Sequence, residues 1–160
     1  MVSDELKKML IRQITSEISA HLNYMAIAIY FRQGSLDRWG KLFHKQSMEE
    51  AQHATKIMDF LIDNNIEFYL PGVGGCSTRF ASPIEACRSA LESEQNVSKQ
   101  FQAMAVAATE HKDFRTFEFL QWFIREQVEE ESKMQKLIDL LESGVNPFQV
   151  QSELDAYDSE

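Results

Sequence analysis

The sequence predicts an all-α fold: a four-helix bundle with a long crossover between its second and third helices and a short fifth helix at the C-terminus. Three observations predict it. Four long segments lack internal proline and are rich in good helix formers. Cap and breaker residues stand at the joints between them. Each segment, read in alternating steps of three and four, carries an apolar stripe of the kind that faces a bundle core.

The first two helices span about 4–33 and 37–64, with Gly34-Ser35 as the break, and so form a helical hairpin. A stretch carrying Pro71, Gly72, Gly74 and Gly75 follows, and 65–81 reads as loop. Extended, that loop reaches at most ~55–60 Å, whereas a helix of ~27 residues is about 40 Å long, so it has the length to cross the bundle and leave helices two and three parallel. Ser82-Pro83 with Glu85 gives an N-cap, a first-turn proline and a capping-box acid for a third helix over about 83–110. Asp113 caps a fourth over about 114–143, before Gly144. Asn146-Pro147 supplies a cap and first turn for a fifth, polar helix over about 147–157, ahead of Asp158-Ser159-Glu160.

Without internal repeats or low-complexity segments, residues 1–160 read as one domain, which at that size buries roughly 70% of the surface its unfolded chain exposes. A net charge of −9 argues against nucleic acid, which needs a basic stripe, and makes cations the better-suited partners. No apolar run reaches the ~18 residues of a membrane span, and the N-terminus lacks a secretory pattern, so the expectation is a cytoplasmic protein with no membrane partner. Cys76 and Cys87 form no Cys-x-x-Cys pair and read as free thiols, not a disulfide framework or a thiolate metal site.

The seams carry the chemistry. The first runs Leu10, Glu17, His21, Tyr24, Ala28, Phe31, and the second Phe43, Gln46, Glu50, His53, Ile57, Phe60. The third runs Ile84, Cys87, Leu91, Glu94, Ser98, Phe101, Ala105, and the fourth Leu120, Phe123, Gln127, Glu130, Met134, Leu137, Leu141. Each is apolar at its ends and holds a carboxylate inside. A buried unpaired carboxylate costs several kcal/mol or is driven neutral, so four of them on four core seams need a shared compensation, and a multivalent cation supplies it. Glu17 and Glu94, a Glu-x-x-His pair at Glu50 and His53, and a Gln-x-x-Glu pair at Gln127 and Glu130 nearly reproduce the ligand set of di-iron carboxylate bundles. Oxygen and imidazole donors suit Fe, Mn or Zn, and the lack of thiolates disfavours softer metals.

Taken singly, a Glu on an apolar stripe is most often a misphased surface residue and a lone His a satisfied core histidine; four helices placing acids at mid-length together are hard to obtain by chance. In the acidic run 126–131, Glu131 reads as solvated face, while Glu126 and Glu129, about one turn apart and beside Glu130, join Glu49 in a candidate adjoining acidic site. Tyr24, one heptad after Glu17, puts a phenol near the candidate metals as hydrogen-bond donor or electron source, or is plain core. Trp122 reads as packing. His21 stands within a turn of Glu17, while His44 and His111 show no constellation.

Glu17 and Tyr24, Glu49-Glu50-Ala51-Gln52-His53, Glu94, and the run from Gln121 through Glu131 together resemble the bacterial-type non-haem ferritins, and the resemblance covers essentially the whole chain. It implies a ferritin-like bundle with a ferroxidase centre: one iron at Glu17, Glu50 and His53, a second at Glu50, Glu94 and Glu130, with Gln127 close by. It also implies a third iron site at Glu49, Glu126, Glu129 and Glu130, and a homo-oligomeric shell of twenty-four subunits with octahedral symmetry. Bacterioferritins are similar but carry a second Glu-x-x-His on the fourth helix and a haem-ligating Met after the bridging Glu. Here Gln127-Val128-Glu129-Glu130 and Ala51 stand in those places, so no haem is expected. The expected function is iron storage with ferroxidase activity, Fe(II) being oxidised by dioxygen or peroxide and kept as ferric mineral. The alternatives are a di-iron peroxidase or oxidase that stores no iron, and a plain helical interaction bundle.

Overall fold

A computed structural model describes residues 1–76 and 79–157. The chain forms α1 (Asp4–Gln33), α2 (Asp37–Asp63), α3 (Pro83–Glu110), α4 (Phe114–Glu142) and a short 3-10 helix, η1 (Gln151–Tyr157), with no strand among the described residues. Three of the long helices open on side-chain caps. Ser3 Oγ accepts from the Leu6 N–H, Ser82 Oγ from the Glu85 N–H with Pro83 in the first turn, and Asp113 Oδ1 from the Thr116 N–H. At the α1–α2 joint it is Ser35, not Gly34, that takes the left-handed conformation, with φ 61°, while the Leu36 N–H returns to the Phe31 carbonyl at 2.9 Å. Gly40 lets α2 close on α1: a Cβ there would stand 2.3 Å from Arg32 Cγ and 3.2 Å from the Ala28 carbonyl.

The core lies in two apolar clusters, one at each end of the bundle. One gathers the C-terminal half of α1, the start of α2, the start of α3 and the end of α4, with Phe31 stacked between Trp39 and Phe43. The other gathers the N-terminal half of α1, the end of α2, the end of α3 and the start of α4, with Phe101 stacked on Phe123. The starts of α2 and α3 therefore share an end, and these two helices run parallel. The crossover 64–82 makes this possible by travelling the length of α1. Phe68 packs on one cluster, Cys76 Sγ lies 3.6 Å from the Leu22 carbonyl at mid-helix, and Phe80 meets Tyr30 edge-on near the other end. Each large side chain sealed in these clusters contributes about 1.5–3 kcal/mol. The polar centre of the four seams lies between them.

Several expectations are corrected. The fifth helix, expected as a helix over 147–157, begins as a turn capped by Asn146 Oδ1 on the Phe148 N–H and becomes a 3-10 helix only from Gln151. It is too short to propagate an α-helix by itself, and docking sets its path. Val150 and Leu154 enter the core, the Trp39 indole N–H donates to the Pro147 carbonyl, and the Arg38 N–H to Gln151 Oε1. Asp158-Ser159-Glu160 lie outside the described residues. On α3 the buried stripe runs through Ala86, Cys87, Ala90, Glu94, Val97, Phe101 and Met104, leaving the expected Ile84, Leu91, Ser98 and Ala105 half-buried at its edge. Cys87, Glu94 and Phe101 are buried as expected, but the buried face is centred on the side of Glu94 that carries Ala90 and Val97, opposite to that column. On α2 the seam departs only at its end, where a straight helix has drifted from a 3.5-residue repeat, so that Leu61 is buried and Phe60 half-buried. No helix among the described residues is long and apolar enough to cross a membrane.

Candidate metal centre

Midway along the bundle the four helices turn Glu17, Glu50, His53, Glu94, Gln127 and Glu130 into the space between the clusters, and all six are buried. Their donor atoms fall into two trios, each with its atoms within 4.8 Å of one another: Glu17, Glu50 and His53; and Glu50, Glu94 and Glu130. Glu50 belongs to both. The spacing and donor types suit a pair of hard or borderline metal ions bridged by one carboxylate.

Each side chain is held by a partner on the apolar frame. Gln13, four residues before Glu17, donates to Glu17 Oε1 at 2.9 Å, and Gln46, four before Glu50, donates to Glu50 Oε1 at 3.1 Å. Gln46 also reaches Glu130 Oε2 at 2.6 Å. The Tyr24 hydroxyl donates to Glu94 Oε1 at 2.5 Å, and Gln127 Nε2 to Glu94 Oε2 at 2.9 Å. His53 Nδ1 lies 3.2 Å from Glu50 Oε2 and 3.7 Å from Glu17 Oε2, its ring braced edge-on by Trp122 and Phe123. Among the described residues, two buried oxygens of this cluster, Glu17 Oε2 and Gln127 Oε1, have no hydrogen-bond partner, and a metal ion would satisfy them.

The electrostatics agree with the geometry. Burial first, then mutual repulsion, raises Glu50 to about 7, Glu94 to about 8 and Glu130 to about 9. For His53 burial would lower the value, but Glu17 and Glu50 outweigh it and hold the imidazole up to about 11. Burial, then Glu94, Glu50 and Glu130, keeps the Tyr24 phenol well above its usual range, so it is a neutral donor. The cluster thus stores protons where a metal ion would supply positive charge, and the residues present fit such an ion.

Glu49, Glu126 and Glu129 do not enter the buried trios. They line an open cleft of about 460 Å³ beside them, into which Glu130 also faces. Burial, then Glu129 and Glu49, raises the Glu126 carboxyl. Lys133, Lys136, Glu153 and Tyr157 complete the cleft. The last two come from the C-terminal turn, and neither carries a sequence signal for this place. Gln13 and Lys133 stand outside the expected seams, and Gln46 stands on its seam without an assigned role, although a Gln four residues before a mid-seam Glu is a readable sign for Gln13 and Gln46. His21 does not touch Glu17: its Nδ1 lies 2.6 Å from the Ser47 carbonyl, tying α1 to α2. Glu131, expected on a solvated face, is half-buried and accepts from the Ser98 hydroxyl. Cys76 and Cys87 are free, and burial pushes the Cys87 thiol up to about 12.

A four-helix bundle with a parallel second and third helix, and two metal-capable trios sharing a glutamate at its waist, defines a carboxylate-bundle protein with a candidate dinuclear centre. Residues 7–143 match the ferritin family, described as a ferritin-like domain. Ferritin BfrB of Mycolicibacterium smegmatis is 34% identical over 140 residues, covering 87% of this chain and 77% of that protein. The bacterial non-heme ferritin of Staphylococcus epidermidis is 35% identical over 141 residues, covering 88% and 85%. Among solved structures, an open pore ferritin from the hyperthermophilic archaeon Archaeoglobus fulgidus superposes with a TM-score of 0.93 at 30% identity, covering 96% of this chain and 98% of that one. A humanized archaeal ferritin gives 0.92 at 30% identity, covering 96% and 97%. The chain belongs to the ferritin family.

Proposed function

We propose that this chain is an iron-storage subunit with ferroxidase activity, working in the cytoplasm as part of a shell of twenty-four copies. Fe(II) is its substrate. The observation that carries the reading is the pair of buried trios joined through Glu50. One ferrous ion enters at Glu17, Glu50 and His53, the other at Glu50, Glu94 and Glu130, beside Gln127. Together they give two electrons to dioxygen, which with two protons leaves as hydrogen peroxide; peroxide itself, taking two electrons, leaves as hydroxide. Anionic oxygen ligands favour the ferric over the ferrous product. Gln127 in place of a second acid lowers the charge at the second site and eases departure of Fe(III). Tyr24 holds Glu94 in place by its 2.5 Å hydrogen bond. Glu49, Glu126 and Glu129, with Glu130 shared between site and cleft, form a wetter third site through which iron passes on its way to mineral. Ala51 stands where bacterioferritins carry their haem-ligating Met, and the reading includes no haem.

The test adds Fe(II) aerobically to purified metal-free protein, follows near-ultraviolet absorbance, and measures the iron-to-protein ratio of the particle from a sizing column. Rapid oxidation with hundreds of irons retained per large particle supports storage. Rapid oxidation with only two or three irons per chain would favour a peroxidase or oxidase that stores none, and no oxidation above buffer would sink the reading.

A further inference from the structure

One neutral amide stands between two of the carboxylates. Gln46, with no exposed surface, donates to Glu50 Oε1 at 3.1 Å from its own helix and to Glu130 Oε2 at 2.6 Å across the bundle. Its carbonyl oxygen accepts from Lys133 Nζ at 3.1 Å, and Lys133 reaches it from the wall of the acidic cleft. We propose that Gln46 and Lys133 are a positioning pair for the second metal site: the lysine fixes which way the amide points, and the amide holds Glu50 and Glu130 converged to receive the ion. The inference rests on the dinuclear reading above.

The chemistry follows from what each group can do. A carboxamide turned end for end keeps its shape but exchanges donors for an acceptor. With both carboxyls ionised, as metal ligands are, Gln46 turned over would present its oxygen to two carboxylate oxygens and its N–H groups to an ammonium, and these contacts would become repulsive. The Lys133 ammonium opposes that turn whatever the state of the carboxyls, and so makes one orientation the lower in energy. As the carboxyls on different helices give up their protons they repel each other, so until the ion is between them they need a donor to stay together. A lysine at position 46 would pair with them and compete with iron, and an acid would add a further negative charge. A neutral donor takes Oε1 of Glu50 and Oε2 of Glu130 without adding charge, while Glu50 Oε2 faces His53. Gln46 meets the first site only through the shared Glu50, because Glu17 is held by Gln13 and His53 is braced by Trp122, whereas it holds two members of the second. The pair is thus predicted to weigh more on the second site than on the first, which a general contribution to folding would not do.

The experiment titrates the assembled, metal-free protein with Co(II) in the absence of oxygen, reading calorimetry and visible absorbance, for the parent, Gln46→Leu, Lys133→Met and Lys133→Arg. Partners that orient ligands are worth about 10–100-fold in metal affinity. The expected result is a second site weakened about tenfold or more in Gln46→Leu, and several-fold in Lys133→Met, with the first site, touched only through Glu50, weakened several-fold less than the second in each. Lys133→Arg, which keeps a donor toward the Gln46 carbonyl, should recover most of that loss. In Fe(II) oxidation the same variants should need more iron for half-maximal rate while their limiting rate changes little. Lys133 lies at the cleft, where its loss leaves the apolar clusters intact, so Lys133→Met remains informative if Gln46→Leu folds poorly. Second-site affinity equal to the parent's in Lys133→Met, or both sites weakened alike, overturns the proposal. A parent chain that binds no pair of Co(II) ions would instead overturn the dinuclear reading on which it rests.

Discussion

Loading the metal-free chain with Zn(II) at pH 7 should release about three protons per metal pair. The figure comes from the site itself. At that pH Glu94, raised to about 8, Glu130, raised to about 9, and His53, held at about 11, are mostly protonated, while Glu50, near 7, is about half so. Metal ligands must give up those protons, and because the groups share charge the quantity to measure is their sum. Calorimetry in buffers of different ionisation enthalpy reads it directly, as does an indicator dye in weakly buffered solution. Release should fall as the starting pH is raised toward 9.5, where only His53 still carries much of its proton. Fewer than one proton per pair at pH 7, or a yield that ignores pH, would refute the electrostatic account of the centre. The same shifts fix a stability trend. Glu94 in the folded chain holds its proton to about 8 against 4.5 when unfolded, so the metal-free fold weakens as pH rises through that window. His53, about 11 against 6.5, adds stability that is complete below 6.5 and is lost as pH rises toward 11. Both trends run the same way, so the metal-free protein should melt lower at pH 9 than at pH 6, and bound Zn(II) should flatten the difference.

Glu94→Ala or Glu130→Ala should slow the fast phase of Fe(II) oxidation in stopped flow by tenfold or more, with unchanged far-ultraviolet circular dichroism; rates equal to the parent's would remove these residues from the site. Replacing Glu49, Glu126 and Glu129 together by Ala should spare that first phase but alter the oxygen consumed per iron and the later growth of mineral. An unchanged ratio and unchanged growth would return the three to a solvated face. Tyr24→Phe should cost about 1–2 kcal/mol in urea unfolding of the metal-free protein, because it strips a buried carboxyl of its 2.5 Å donor. Asp113→Ala should cost about 1 kcal/mol by uncapping α4, where Asp113 accepts from both the Thr116 N–H and its hydroxyl.

Helix boundaries are readable where their signals are local: Ser82-Pro83 and Asp113 cap where a residue-by-residue reading puts them, and the glycines of 72–75 break the chain where it must cross, while the Ser3 cap of α1 emerges only from the structure. The crossover was readable from its length alone. What failed was finer phase. On α3 an alternating step of three and four keeps Cys87, Glu94 and Phe101 but takes Leu91 and Ala105 where the neighbouring Ala90 and Met104 face the core, because one helix's pattern leaves open to which side of Glu94 the partners pack. The six central polar residues lie on the axis of their seams, where that choice changes nothing. The C-terminal turn was unreadable for another reason. Its course depends on Trp39 and Arg38, more than a hundred residues away, and no local pattern encodes such a contact. Gln46 was visible on its seam, but its second partner and its lysine both come from α4, a distant pairing of the same sort.

The two trios differ in where along the chain their members lie. Glu17, Glu50 and His53 all belong to the α1–α2 hairpin, whereas Glu50, Glu94 and Glu130 draw on both hairpins. An ion held by the first trio would be sensitive to how one hairpin closes upon itself. An ion held by the second would clamp two hairpins joined by the crossover 64–82, and could be gripped only once they have docked. Ribosomal synthesis delivers these parts in order: the first half-site is complete in sequence by residue 53, the second only by residue 130. During synthesis the chain therefore passes through a stage in which every member of the first trio has been made and the second trio is still incomplete.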